Sequence, residues 1–200
     1  MKQPVHSAAA IIIGNEILSG RTQDTNLKYI ACGLNSRGIR LREARVISDE
    51  VMDIIATLNE LRARHDYVFT TGGIGPTHDD VTAEAVAQAF GVQLERNVEA
   101  VRRLSEYYGD DINEARLRMA RIPEGAMLLD NPVSQAPGFQ LENVYVLPIA
   151  LLTTRYYLCL SGPKVKSSRK DSGRKLSFHS GWRRYCRTLT PASSYRLRWT

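Results

Sequence analysis

Three glycines, two aspartates and a histidine fall within one short segment, Thr70-Thr71-Gly72-Gly73-Ile74-Gly75-Pro76-Thr77-His78-Asp79-Asp80-Val81-Thr82. An apolar run, Tyr67 to Phe69, precedes it, and a helical pattern, Ala83 to Phe90, follows. Such a strand–glycine loop–helix layout suits phosphate. Glycine lets the backbone approach an anion closely, and a helix start offers N–H groups without intrahelical acceptors. Thr71, Gly72, Gly73 and Gly75 are therefore candidate phosphate contacts. The carboxylates of Asp79 and Asp80 would repel a bare phosphate, which implies Mg²⁺ or a polarised water between them. Mg²⁺ takes one or two protein carboxylates together with phosphate oxygens and waters. Two simpler readings stand beside this one. The glycines can serve a tight turn, and one aspartate can cap the helix. The segment is neither a Walker A loop, since no Gly-Lys-Ser/Thr follows, nor the G-x-G-x-x-G dinucleotide fingerprint.

Other candidates gather around the same pattern. Gly14, Glu16 and Asp24 bound a polar loop after the apolar run Ala8–Ile13. Asp49 follows a second strand, where N-capping is its simplest job. His78 can shuttle a proton or sit in solvent. His6 and His65 have no ligand-spaced acid, cysteine or histidine, and no Ser-His-Asp or Cys-His grouping emerges. Cys32, Cys159 and Cys186 are too dispersed for a zinc site or a disulfide framework.

These side chains need a scaffold, and the hydrophobic pattern supplies one. Ala8–Ile13, Ile39–Ile47 and Asp66–Thr70 read as strands. Helices with apolar stripes at Leu27, Ile30, Ala31 and Leu34, and at Val51, Ile54, Ile55, Leu58 and Leu61, separate them. Asp24 or Thr25 can cap the first helix, and Ser48 or Asp49 the second. The alternation implies an α/β fold with a mostly parallel sheet covered by helices. Ligands of such sheets sit beyond the carboxyl ends of the strands, where all three loops emerge. Further helices are expected over 97–107 and 113–120. Short strands are expected over 126–129, 138–141 and 144–147, with a hairpin turn at Glu142-Asn143.

Charge divides the 200 residues unevenly. Residues 1–150 carry 15 Lys/Arg against 20 Asp/Glu, whereas residues 151–200 carry 12 Lys/Arg and one acid, Asp171. A domain over 1–149 and an atypical basic tail over 150–200 follow. The preferred account of the tail is translation out of frame past a lesion near codon 148, leaving a segment that never evolved to fold. The other is a basic arm for nucleic acid or anionic surfaces, and the abrupt change in composition favours the first. No apolar run approaches the roughly 18–20 residues of a membrane span, and Ala8–Ile13 is too short for a signal segment. A cytoplasmic protein is the expectation.

Gly14-Asn15-Glu16-Ile17-Leu18-Ser19-Gly20-Arg21-Thr22-Gln23-Asp24-Thr25-Asn26 and the Thr70–Thr82 segment together resemble the molybdopterin-binding domain family of molybdenum-cofactor biosynthesis proteins. Within it they are most similar to the amino-terminal domain of the competence/damage-inducible protein A (CinA) family. The resemblance covers about residues 5–149. It implies a three-layer α/β/α fold and a homo-oligomer. It also implies a pocket for molybdopterin or an adenine nucleotide at the strand ends, with Mg²⁺. Asp80 and Asp49 match the two aspartates important for adenylyl transfer, and nucleotide pyrophosphatase action is the related possibility. A non-catalytic binding module is the alternative. Asp79 stands where the adenylyltransferase branch carries an arginine or similar residue. The family's Gly-x-Pro loop and final helix do not follow Val144–Pro148.

Overall fold

The computed structural model describes residues 6–131 and 134–148. All of them lie in the first of two compact units, Met1–Pro163 and Lys164–Thr200. The expected basic tail over 150–200 falls outside the described residues.

The chain runs β1 (Ser7–Ile13), α1 (Asn15–Leu18), α2 (Asn26–Asn35), β2 (Arg40–Ile47), α3 (Val51–Arg64), β3 (Tyr67–Thr71) and α4 (Thr82–Phe90). It continues through β4 (Leu94–Arg96), α5 (Val98–Tyr108), a single 3₁₀ turn, α6 (Glu114–Arg118), β5 (Arg121–Pro123), β6 (Met127–Leu129), β7 (Gly138–Leu141) and β8 (Val144–Leu147). Six strands form one sheet in the order β2-β1-β3-β8-β7-β6, and β4 and β5 form a separate antiparallel pair. β2, β1, β3 and β8 are parallel; β7 runs antiparallel to β8, and β6 antiparallel to β7.

Alternation along the central strands sorts side chains into two layers. Ala9, Ile11, Ile13, Val68, Val144 and Val146 pack with Ile54, Leu58 and Leu61 of α3 and Ala85 and Val86 of α4. Ala8, Phe69, Tyr145 and Leu147 pack with Ile30 and Leu34 of α2. β1 and β3, flanked by strands and helices, are apolar almost throughout, as a sheet covered on both faces requires.

The expected strands and helices are present, with three differences. The first rim loop opens with the single helical turn α1. β4 and β5 were not anticipated, because three-residue strands carry too few positions for a period-2 signal. The second strand starts at Arg40 rather than Ile39, whose side chain is buried beside α2. The turn at Glu142-Asn143 forms, with Glu142 at φ +49°. Asn143 Nδ2 donates to the carbonyls of Arg62 and His65, both at 3.0 Å, and so tethers the hairpin to the end of α3. No helix among the described residues is long and apolar enough to cross a membrane.

Candidate functional site

The carboxyl ends of β2, β1 and β3 adjoin, and glycines make the junctions. The N–H of Gly14 donates to Ile47 O at 3.1 Å, linking the ends of β1 and β2. Gly72 presses on the end of β1, and a Cβ there would lie 1.9 Å from Ile13 O. Its φ of +103° excludes most side chains independently. At Gly73, φ +64°, a Cβ would meet Thr82 Oγ1 at 2.4 Å. Thr82 Oγ1 donates to Gly72 O at 2.9 Å, and Thr82 N to Gly73 O at 3.0 Å. The loop is thus pinned at both ends to β1 and α4. Its N–H groups at Gly73, Ile74 and Gly75 donate to no described residue, leaving three consecutive donors of the kind that line anion-binding concavities.

Asp80 braces the middle of this loop. Its Oδ2 accepts from Thr77 N at 2.7 Å and Thr77 Oγ1 at 2.5 Å. Its carboxylate also packs where a Cβ on Gly75 would stand, 2.7 Å from Oδ2. Helix-capping by Asp79 or Asp80 is therefore corrected. α4 starts at Thr82 behind Val81 with no side-chain cap, because Thr77 already engages Asp80. Asp79 is exposed, with its Oδ1 3.0 Å from His78 Nε2.

The other two loops meet each other. Asn15 Nδ2 donates to Asp49 Oδ1, and the Glu16 carboxylate folds over Gly14, 2.5 Å from where a Cβ would be. Capping of α3 by Ser48 or Asp49 is also corrected. Glu50 holds the cap position without a side-chain bond, Ser48 Oγ donates to Asp53 Oδ2 at 2.6 Å, and Asp49 is engaged by Asn15. Asp24 does start α2, accepting from Leu27 N at 2.9 Å.

A cleft of about 190 Å³ opens beside the glycine loop. Gly75, Thr77, His78 and Asp80 line one side, and Arg118 and Arg121 belong to the other. Ile74, Leu94, Met119 and Phe139 give it apolar surface. Of the residues singled out by sequence, Gly75, His78 and Asp80 line this cleft. Gly14, Glu16, Asp24, Asp49, Thr71, Gly72, Gly73 and Asp79 do not, and Thr71 is buried at 2 % exposure. Sequence reasoning missed Thr77, Arg118 and Arg121. Arg118 falls within the helix expected over 113–120, and Arg121 lies just beyond it, at the start of the unforeseen β5. Among the described residues no three His, Cys, Asp or Glu side chains converge in a metal-ligating group.

Comparison with known proteins gives this geometry a context. A family profile described as "Probable molybdopterin binding domain" matches residues 9–169. The crystal structure of the protein CinA from Thermoplasma acidophilum, described as of unknown function, superposes with a TM-score of 0.72 at 33% identity. The match covers 77% of this chain and 94% of that one. The molybdopterin biosynthesis enzyme MoaB from Thermus thermophilus shares the fold at 18% identity, with a TM-score of 0.50 and coverage of 76% and 87%. A curated protein of Metallosphaera sedula is 40% identical over 142 residues, 69% of this chain and 54% of that protein. A CinA-like protein of Citrifermentans bemidjiense is 41% identical over 134 residues, 66% of this chain and 32% of its own length. The chain spans about half the length of the first of these curated relatives.

Proposed function

The chain belongs to the molybdopterin-binding domain family, and from that premise we propose that its rim loops bind a phosphorylated pterin or nucleotide, with Asp80 as the acidic group that meets the phosphate or its Mg²⁺. The observation that carries this reading is the loop itself. Three consecutive N–H groups without a described acceptor, Gly73 to Gly75, lie beside a braced carboxylate that lines a cleft.

Each residue has a distinct part. These N–H groups accommodate phosphate oxygens and act as fixed dipoles that need no reorganisation when charge develops. Thr77 holds Oδ2 of Asp80, and Oδ1 accepts from no described residue. Asp80 thereby fits a Mg²⁺ ion as a single protein donor, with phosphate and water completing the shell. When bound, the ion would neutralise phosphate charge and so favour adenylyl transfer or pyrophosphate hydrolysis. Asp49 acts through Asn15 as a positioning residue for the first loop. Asp79 lies outside the cleft lining, so this reading gives it no more than a water-bridged contact with the ion.

The test is calorimetry with molybdopterin, ATP, ADP-ribose and FAD, each with Mg²⁺, on the natural chain and on Asp80→Asn. Asparagine keeps an oxygen acceptor for Thr77 and removes the charge. The expected result is metal-dependent binding of at least one of these ligands, weakened or abolished in Asp80→Asn. Unchanged binding of every ligand would remove Asp80 from the site. Binding without turnover would make the domain a carrier rather than an enzyme.

A further inference from the structure

Arg118 ends α6 and Arg121 opens β5, so both belong to the segment of α5, α6 and the β4–β5 pair, here called the small lobe, rather than to the six-stranded sheet that carries the glycine loop. They nevertheless line the same cleft as Gly75, Thr77 and Asp80. Among the described residues, neither guanidinium has a carboxylate partner. The contrast within the domain is sharp. Arg45 holds Glu60 at 2.6 Å, Arg102 holds Glu99 at 2.8 Å, and Arg103 holds Asp130 at 2.7 Å.

Strand register adds a second oddity. Arg121 stands directly opposite Arg96 in the β4–β5 pair, an unfavourable like-charge juxtaposition. Glu114 engages Arg96, which leaves Arg118 and Arg121 as the two arginines there without an ion pair among the described residues. Both also line a wider concavity of about 550 Å³ with Arg96 and Glu114. Arg118 and Arg121 are thus shared by the cleft, whose acids are Asp80 and Glu84, and by this outer concavity, on a domain whose first 150 residues carry an excess of acids. Two guanidiniums and the backbone donors of Ile74 and Gly75, all without an acceptor or carboxylate among the described residues, line one cleft with apolar surface, which suits an elongated anion with an apolar portion. The planar fork of each guanidinium matches a phosphate bidentately, which an ammonium group would not.

We propose that Arg118 and Arg121 form an outer phosphate subsite of the cleft, which takes a second phosphate of the ligand whose first phosphate lies on the Gly73–Gly75 N–H groups. The assignment rests on the functional reading above and narrows it. The favoured ligand carries a diphosphate or longer chain, and a monophosphate or uncharged pterin uses only half of the site.

Calorimetry with inorganic phosphate, inorganic pyrophosphate and ATP tests this on the full chain with Mg²⁺. The proteins are the natural chain, Arg118→Gln/Arg121→Gln, Arg118→Lys/Arg121→Lys, Asp80→Asn, and Arg40→Gln/Arg42→Gln. The last removes two exposed arginines of β2, likewise without described ion pairs and outside the cleft lining. The glutamine pair at 118 and 121 should weaken pyrophosphate and ATP binding about tenfold or more, the scale of losing a charge-assisted hydrogen bond. Phosphate binding should change less, lysine should restore part of the loss, and the β2 pair should bind as the natural chain does. Exposed positions leave the fold intact, which an unchanged melting temperature verifies. Natural pyrophosphate affinity in the 118/121 glutamine variant, with a loss in Asp80→Asn, would overturn the subsite and leave the glycine-loop reading standing. An equal loss in the β2 variant would overturn it as general charge attraction. Failure of the natural chain to bind any phosphorylated ligand would overturn both readings together.

Discussion

Gly72 and Gly91 both sit at positive φ, +103° and +67°, but their surroundings set very different costs for a side chain. At Gly91, the left-handed end of α4, a Cβ would meet nothing within 4 Å. Gly91→Ala should therefore lose only the left-handed penalty of about 1–2 kcal/mol. Gly72→Ala adds a collision with the Ile13 carbonyl, so overpacking of about 1–3 kcal/mol joins that penalty, or the loop leaves β1 altogether. Urea denaturation of both variants checks this, and equal losses would refute the close approach. Asp80 offers a companion contrast. Asp80→Ala removes the acceptor for Thr77 and should cost about 1–3 kcal/mol, whereas Asp80→Asn should stay close to the natural stability. Equal destabilisation in the two would mean that the brace from Thr77 does not matter. Glycines and aspartates were legible as a site because their chemistry lies within one segment. Their intramolecular duties were not. That Gly72 is demanded by Ile13, or that Thr77 takes Asp80 away from helix-capping, depends on atoms brought together by the fold.

At the scale of elements, the edge strand β2 is fastened to α3 by ions rather than by apolar contact alone. Arg45 of β2 lies 2.6 Å from Glu60 of α3 and 2.8 Å from Glu43, and Arg64 lies 2.7 Å from Glu60. Hydrogen bonding from Arg45 is the main cause that brings the Glu60 carboxyl from its ordinary 4.5 down to about 2. A carboxyl depressed in the folded state lends stability that is complete above the unfolded value near 4.5. That stability fades as pH falls through about 2. Glu60→Gln should thus narrow the gap to the natural chain as pH drops from about 5 toward about 2. The effect should be modest, because the group is exposed and salt-screened. Denaturation midpoints of the two proteins across that range provide the check, and a constant gap would show that the pair carries no pH-linked stability. The elements themselves were mostly readable. Apolar runs such as Ala8–Ile13 and the helical stripe of α3 span enough positions to declare a period. β4 and β5 span three residues each, and their pairing is long-range. That is why Arg121, which opens β5, went unread.

For the whole molecule, charge and family coverage divide the chain at different places: the excess of acids ends near residue 150, and the family match runs on to residue 169. The family match ends at residue 169, and the 31 residues beyond it hold eight Lys/Arg against one acid, Asp171. The sheet, both core layers and the cleft lie among the residues up to Pro148. If the final residues take no part in the domain's core, a chain ending at 169 should melt within a few degrees of the full chain. It should also bind the same phosphorylated ligand, since the Gly73–Gly75 donors, Asp80 and the two arginines are all retained. Affinity for duplex DNA should behave oppositely. Any such affinity in the full chain would come from the basic end, fall with salt as condensed counterions are displaced, and vanish in the shortened chain. Thermal melts, calorimetry and a salt titration of DNA binding on the two chains read these expectations separately. A large drop in melting temperature would put the last 31 residues inside the folded domain. DNA binding that survives their removal would move the polyanion surface onto the small lobe, where Arg96, Arg118 and Arg121 already stand together.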